Sequence, residues 1–478
     1  PAFDEVAENG MLFYNAFAAA PQCSPSRAAI LTGKDIWQLA EAGTHSSNFP
    51  KSLKVFTDIL ESAGYEIGYT GKPWAPGNWK VSGWKRNPVG PAYNKEKLTQ
   101  PTTGISNIDY YKNFVDFYSD KKEGQPFFFW FGSNEPHRPY QKGSAVKSGK
   151  KPMNAFVPGF LPDDSIVRSD IADYTLEIEW YDSQLKKMID FLRQKGELNN
   201  TLIVVTSDNG MPFPSAKANL TEYGSHVPLA ISWPGKIKRG VVSYDLVSLI
   251  DLAPTFLQIA GVKNLPPMTG KGLNDILFRD SMRTTDVHRQ YVLTGRERHS
   301  DSRPDDVGYP SRAIRTKQFL FILNLKSKRW PAGNPPPHKR ITIEDKDQPS
   351  EHFVPIGLGY CDIDGSPSKT LMIKDSAKWT KLFAEGFGKR PAEQLYDIQR
   401  DPGCTTNLAA DPTYDSVKDV LEAQLKGLLT QEGDPRMLGY GDVFDGYPRY
   451  GIMRNWGGFQ KKGAYNPAFE PKKNIVNQ

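Results

Sequence analysis

The sequence predicts an α/β protein, a mixed sheet sandwiched by helices, followed by a smaller α+β unit. Two observations carry this. Up to about residue 310, short β-branched or aromatic runs alternate with segments of helical period, the pattern of a sheet covered on both faces. Beyond it the chain turns to a hairpin pattern separated by loops rich in Pro and Gly. We therefore divide it into a catalytic-sized α/β domain over 1–310 and a smaller α+β domain with an extended tail over 311–478.

The elements follow in order. Residues 2–8 read as a helix, and 11–17 as a strand delivering the chain to Cys23. Pro25 makes a turn there, 28–31 read as a helix leaving it, and Ser24 and Ser26 are candidate caps. Leu53, Phe56, Ile59 and Leu60 share one helical face over 52–63, and Gly64 ends that helix. Residues 65–70 form a short strand, 110–118 a helix and 126–132 a strand. A long amphipathic helix spans 167–195, then come strands at 201–206 and 228–233 and a helix at 248–260. Residues 291–294 form a strand, 311–316 and 319–325 a hairpin, 395–398 a strand and 416–429 a helix. The Pro- and Gly-rich stretches 331–337 and 348–366 read as loops, and 439–458 as an aperiodic wrap over the surface. No internal repeat is visible.

Composition bounds the function. Hydrophobic residues at 38% and aromatics at 12% describe a packed globular protein. A net charge of +6 suits a polyanionic substrate, while no Lys/Arg run is dense enough for nucleic acid. No apolar run reaches the length of a membrane span. No leader is visible ahead of the first helix. The three cysteines are odd in number: Cys361 and Cys404 could pair and leave Cys23 single, or all could be unpaired.

Polar residues gather where the strands end, which is where open α/β sheets bind ligands. Cys23 would lie near the positive end of a helix dipole beside the Arg27 guanidinium, a place for a phosphate or sulfate. Asp208-Asn209-Gly210 offers two hard oxygen donors for Ca2+ or Mg2+, or else a plain turn. Lys72 and Lys217 could each hold an anion oxygen, and His137 is a candidate general acid. Arg296-Glu297-Arg298-His299 crowds charge beyond a strand, as a ligand site or a salt-bridged turn.

The run Cys23-Ser24-Pro25-Ser26-Arg27 resembles the Cys-x-Pro-x-Arg signature of the type I sulfatases. The helix near 170–195, the strand 202–206 and Ser207-Asp208-Asn209-Gly210 resemble that family's second block. Asp-Asn-Gly-Met-Pro-Phe-Pro at 208–214, Glu-Pro-His-Arg at 135–138 and Arg-Glu-Arg-His at 296–299 are similar to its heparan N-sulfatase and algal-polysaccharide sulfatase branch. The tail motifs Gln394-Leu395-Tyr396-Asp397-Ile398, Arg400-Asp401-Pro402 and Asn407-Leu408 extend the likeness to about residue 430.

The resemblance implies an alkaline-phosphatase-like fold and a sulfuric ester hydrolase of a sulfated carbohydrate, glycosaminoglycan or algal, with N-sulfate hydrolysis open. It implies that Cys23 is oxidised to formylglycine by a maturation enzyme and that Arg27 steadies its hydrate. Asp208, Asn209 and the formylglycine at Cys23 would bind Ca2+. Lys72 and Lys217 would clamp the sulfate, with His137 near the leaving atom. Trp74, Arg138, His226, Arg296, Arg298 and His299 would lie nearer the sugar. One hydroxyl of the hydrate would attack sulfur and the second would expel sulfate, which a plain Ser or Cys cannot do. The likeness also implies a secreted, periplasmic or lysosomal setting.

Two departures accompany it. The family usually opens with a strand ending in an aspartate pair that completes the calcium site, and residue 1 falls after it: either the numbering starts inside a longer protein or the metal is weak or absent. The family's Lys-x-His is here Lys72-Pro73-Trp74, so its base role is unfilled or passes to another group, and Trp74 could stack on a sugar. Two rivals stand beside the enzyme: a non-catalytic sulfated-glycan binder on the same scaffold, and a phosphoesterase. The second would need several histidine ligands, and the chain has 7 scattered histidines.

Overall fold

The computed structural model describes residues 1–279, 288–335 and 359–450. Parts of the expected loops at 331–337 and 348–366, part of the wrap at 439–458 and the end of the tail lie outside these residues.

Ten strands are described: β1 Met11–Phe17, β2 Glu66–Gly71, β3 Phe127–Gly132, β4 Ile203–Thr206, β5 His226–Ser232, β6 Val241–Ser248, β7 Tyr291–Arg296, β8 Ser311–Thr316, β9 Phe319–Asn324 and β10 Glu393–Asp397. One mixed sheet has the order β4-β5-β1-β6, with β1 antiparallel to β5 and parallel to β6. β2 and β3 form a parallel pair, and β10-β9-β8-β7 an antiparallel sheet.

Alternation along β1 explains why helices cover both faces. Met11 and Phe13 point into the main core with Ala28, Ala29 and Leu31 of the helix Cys23–Thr32 and Leu252 and Leu257 of the helix Leu252–Ile259. Leu12 points the other way, into a cluster with Ala2 and Val6 of the helix Ala2–Glu8 and Ile189 of the helix Ser165–Gln194. The fold class is as the sequence predicts.

Several boundaries differ. The helix at the cysteine begins at Cys23 itself, after extended Gln22, so Ser24 and Ser26 lie inside the first turn and do not cap it. Ser24 Oγ instead accepts from Ser46 N at 3.2 Å. The helix expected over 52–63 is shortened to Phe56–Ser62. The strand β6 is missed by the sequence reading, and β7 pairs with β8 in the second sheet. Helices Pro367–Lys374 and Thr380–Phe387 also occupy a stretch left unassigned. Cys23, Cys361 and Cys404 are all free, so no Cys361–Cys404 bond forms. Among the described residues no helix is long and apolar enough to cross a membrane.

Candidate active site

β1 runs parallel to β4 through their shared neighbour β5, so both strands end at one edge of the sheet. β1 leads there to Cys23 and β4 to Asp208. β2 and β3 run in step, with Gly71 opposite Gly132. Gly71 sits at φ +77°, and a Cβ there would stand 2.0 Å from Gly132 O. Only glycine allows that approach, which lets Lys72 N donate to Gly132 O and turns the Lys72 side chain out of the strand end.

These strand ends converge on Cys23. Lys72 Nζ lies 3.4 Å from Cys23 Sγ, and Sγ lies 3.6 Å from Asn209 Oδ1. Arg27, one turn along the helix, donates to Pro73 O at 2.7 Å and pairs with Asp208 Oδ2 at 2.8 Å. His137 Nδ1 lies 2.6 Å from Arg138 O, so that nitrogen donates, and its Nε2 faces Lys217 Nζ at 3.4 Å. Burial pushes the Cys23 thiol up, but the Lys72 and Lys217 ammonium groups and hydrogen bonds from His137 and His45 outweigh it and hold the thiol well below its usual range. The site therefore stabilises negative charge at position 23.

Three participants were not visible in the sequence. His45, from the turn after Gly43, reaches the thiol, and its Nδ1 lies 2.9 Å from His299 O. Burial lowers the His45 pKa, so a neutral ring is favoured. Asp364 lies 2.8 Å from Lys217 Nζ. Asp362 receives Arg296 at 2.9 Å and Arg303 at 2.6 Å. No motif marks any of them, because each arrives from a loop with no periodic pattern.

The residues expected near a sugar fare differently. Trp74 is buried, with Nε1 donating to Ser24 O at 3.0 Å and its ring edge-on to Phe49, so it has no face for a sugar. Arg138 is buried and bidentate on Asp170 at 2.7 and 2.9 Å. Arg296 is buried against Asp362 and Pro331 O, and Arg298 against Tyr447 O, Pro448 O and Asp306. These three guanidiniums are spent inside the protein and correct the expectation of substrate contact. His226 binds Tyr14 O at 2.7 Å and Glu222 at 3.3 Å and stacks on Phe17, so its ring is engaged inside the protein. His299 is buried against His45, ring centroids 4.6 Å apart, and supports the site from behind.

Asp208 and Asn209 have the right donor chemistry for a hard cation but not the number. Calcium takes six to eight oxygens, Asp208 is already paired with Arg27, and among the described residues no group of three or more His, Cys, Asp or Glu side chains is placed to hold a metal. The residues described do not by themselves complete the expected calcium site.

The Sulfatase family pattern matches residues 1–262, and the C-terminal pattern of N-sulphoglucosamine sulphohydrolase matches 216–328. Human N-sulphoglucosamine sulphohydrolase is 28% identical, over 91% of this chain and 86% of its own length. An ulvan-active sulfatase of Formosa agariphila is 27% identical, over 91% of this chain and 76% of its own. A solved structure in complex with its substrate D-glucosamine-2-N,6-O-disulfate superposes with a TM-score of 0.61 at 18% identity, covering 91% of this chain and 94% of that one. The fold is the alkaline-phosphatase-like fold of these enzymes. With the family pattern spanning more than half of its residues, the chain belongs to the sulfatase family.

Proposed function

We propose that this protein removes sulfate from a sulfated carbohydrate, an O-sulfate or N-sulfate of a glycosaminoglycan or algal polysaccharide, using Cys23 in its formylglycine form. One observation carries the reading: Lys72, Lys217, His137 and Asn209, from four separate segments, converge on the side chain at position 23. Relatives named for N-sulphoglucosamine and for ulvan support the carbohydrate class.

The residues fit formylglycine. In this structure Cys23 Sγ stands in for the oxygens of its hydrate: Lys72 is placed to donate to one and Asn209 Oδ1 to accept from one. When hydrated, that aldehyde supplies a hydroxyl nucleophile. Lys72 and Lys217 draw charge from the sulfate oxygens, in a water-poor site where fixed charges act strongly. Arg27 ties the nucleophile's helix to Asp208. His137, its Nδ1 committed to Arg138 O, presents Nε2 to carry a proton to the leaving sugar oxygen or nitrogen. His45 takes the base role that Trp74 cannot fill, because its bond to His299 O leaves Nε2 as the basic nitrogen. A calcium ion held by Asp208 and Asn209 needs further donors than the described residues give, and metal analysis of the purified protein decides whether one is retained.

The test is sulfate release. The full chain, co-expressed with a formylglycine-generating enzyme and checked by mass spectrometry of the Cys23 peptide, is incubated with sulfated oligosaccharides, and free sulfate is measured by ion chromatography. Release is expected. A formylglycine-bearing protein that releases none from heparan, chondroitin or ulvan oligosaccharides overturns the reading.

A further inference from the structure

An acid sits beside the anion clamp. Asp364 Oδ2 accepts from Lys217 Nζ at 2.8 Å, with side-chain exposures of 13% and 6%. Nearby positive charge, Lys217 first among it, outweighs burial and keeps Asp364 ionised. A fixed negative charge at this point weakens the hold on a sulfate, so its presence calls for a compensating role.

The turn that carries it is built to hold it still. Buried Lys369 spends its ammonium on the carbonyls of Gly359, Tyr360 and Ile363, at 3.0, 2.9 and 2.9 Å. Two residues before Asp364, Asp362 is pinned by Arg296, Arg303 and Ser300. Among the described residues nothing donates to Asp364 Oδ1, and the exposure the side chain keeps leaves that oxygen open to an incoming group. Facing the Asp364 carboxylate are Lys217, His137 and His299. The open oxygen thus stands next to a lysine of the site, on a rigid turn, as an acceptor with no donor.

We propose that Asp364 is a specificity-determining residue: Oδ1 accepts a hydrogen bond from a hydroxyl or amine N–H beside the scissile sulfate, and the carboxylate rejects a second sulfate or carboxylate there. This rests on the sulfated-sugar reading above. A site that hydrogen-bonds a substrate donor discriminates strongly against an analogue lacking it, and replacing the donor by an anion adds like-charge repulsion.

The experiment compares kcat/KM for two probes that differ by one group. They are the hexosamine monosulfate that the wild-type enzyme desulfates fastest (N-, 3-O-, 4-O- or 6-O-sulfated), and the same sugar with a second sulfate on the adjacent position. The wild type is expected to prefer the monosulfate at least tenfold, and Asp364→Asn to shrink that preference at least tenfold. Asp364→Ser, with native folding checked by circular dichroism, serves if the Asn variant does not fold. A preference unchanged within twofold in a folded variant, or a wild type with no preference, overturns the proposal. No release by formylglycine-bearing wild type from these probes or from ulvan oligosaccharides instead overturns the function on which it rests.

Discussion

Glu177 offers a prediction that can be worked through in numbers. It lies on the helix Ser165–Gln194, fully buried, and neither carboxylate oxygen accepts a hydrogen bond. Burial first, then Glu135 and Asp173, push its pKa up from 4.5 to about 8. Between those values the folded protein holds a proton that the unfolded chain has released, so stability is full at low pH and falls as pH rises through the window. At 1.36 kcal/mol per unit the whole shift caps the effect at about 5 kcal/mol, and local relaxation leaves roughly half. Glu177→Gln keeps the shape without the charge. It should be about 2–3 kcal/mol more stable than the wild type at pH 8 and nearly equal to it at pH 4.5. For a chain of 478 residues, an unfolding entropy near 2.1 cal/mol/K per residue converts this to about 2–3 °C in Tm at pH 8. Calorimetric melts of both proteins from pH 4.5 to 8.5 measure the gap. A gap that does not widen with pH refutes the reasoning. The effect reaches the site, because Glu135, two residues before His137, is one of the charges facing Glu177.

Other variants test the rest of the site. Asp170→Asn strands the buried Arg138 guanidinium and should cost about 3–5 kcal/mol in a denaturant titration; it should also lower kcat, since Arg138 O orients His137. Lys72→Met should lower kcat/KM about 100-fold or more, measured as initial rates of sulfate release, by removing a fixed charge 3.4 Å from position 23. Cys23→Ser leaves no thiol to oxidise and should reduce sulfate release at least about 10³-fold, with no aldehyde detected in the peptide. Trp74→Phe should cost about 1–2 kcal/mol through the lost bond to Ser24 O, and leave KM for the sugar unchanged because the ring does not face solvent.

What could be read from the sequence was set by local rules. The alternation along β1, the 3.6 period of the long helix and the β8–β9 hairpin were each legible from their own residues. So was the gathering of Lys72, His137 and Asp208, since each lies within five residues of a strand end and strand ends share an edge. Trp74, Arg138, Arg296 and Arg298 misled for one reason: a side chain's type does not reveal whether a distant residue already occupies it. Arg138 is claimed by Asp170, Arg296 by Asp362 and Arg298 by carbonyls at 447 and 448. β6 was legible, since Val241–Ser248 is rich in β-branched residues and begins with alternating burial, yet the sequence reading left it unassigned. His45, Asp362 and Asp364 escaped because loop residues carry no period at all.

The counter-charges show why the site depends on the later part of the chain. Most of its cations come from residues before 313, while several of their anions come from beyond 360. Asp364 serves Lys217, Asp362 serves Arg296 and Arg303, and Asp434 with Glu297 serves Arg312. Arg449 donates to the same His299 carbonyl that holds His45. A buried cation without its carboxylate costs several kcal/mol, and a chain cut before residue 360 would leave Lys217, Arg296 and Arg303 in that state at once. A fragment ending near residue 262, where the Sulfatase family pattern stops, would keep Cys23, Lys72, His137, Asp208 and Lys217 yet lose Asp364 from Lys217 and the backing of His45. It retains the Cys-x-Pro-x-Arg run and the Ser-Asp-Asn-Gly block and should still fail to assemble the pocket, which makes the unmotifed segment 359–364 as much a part of the active site as the cysteine.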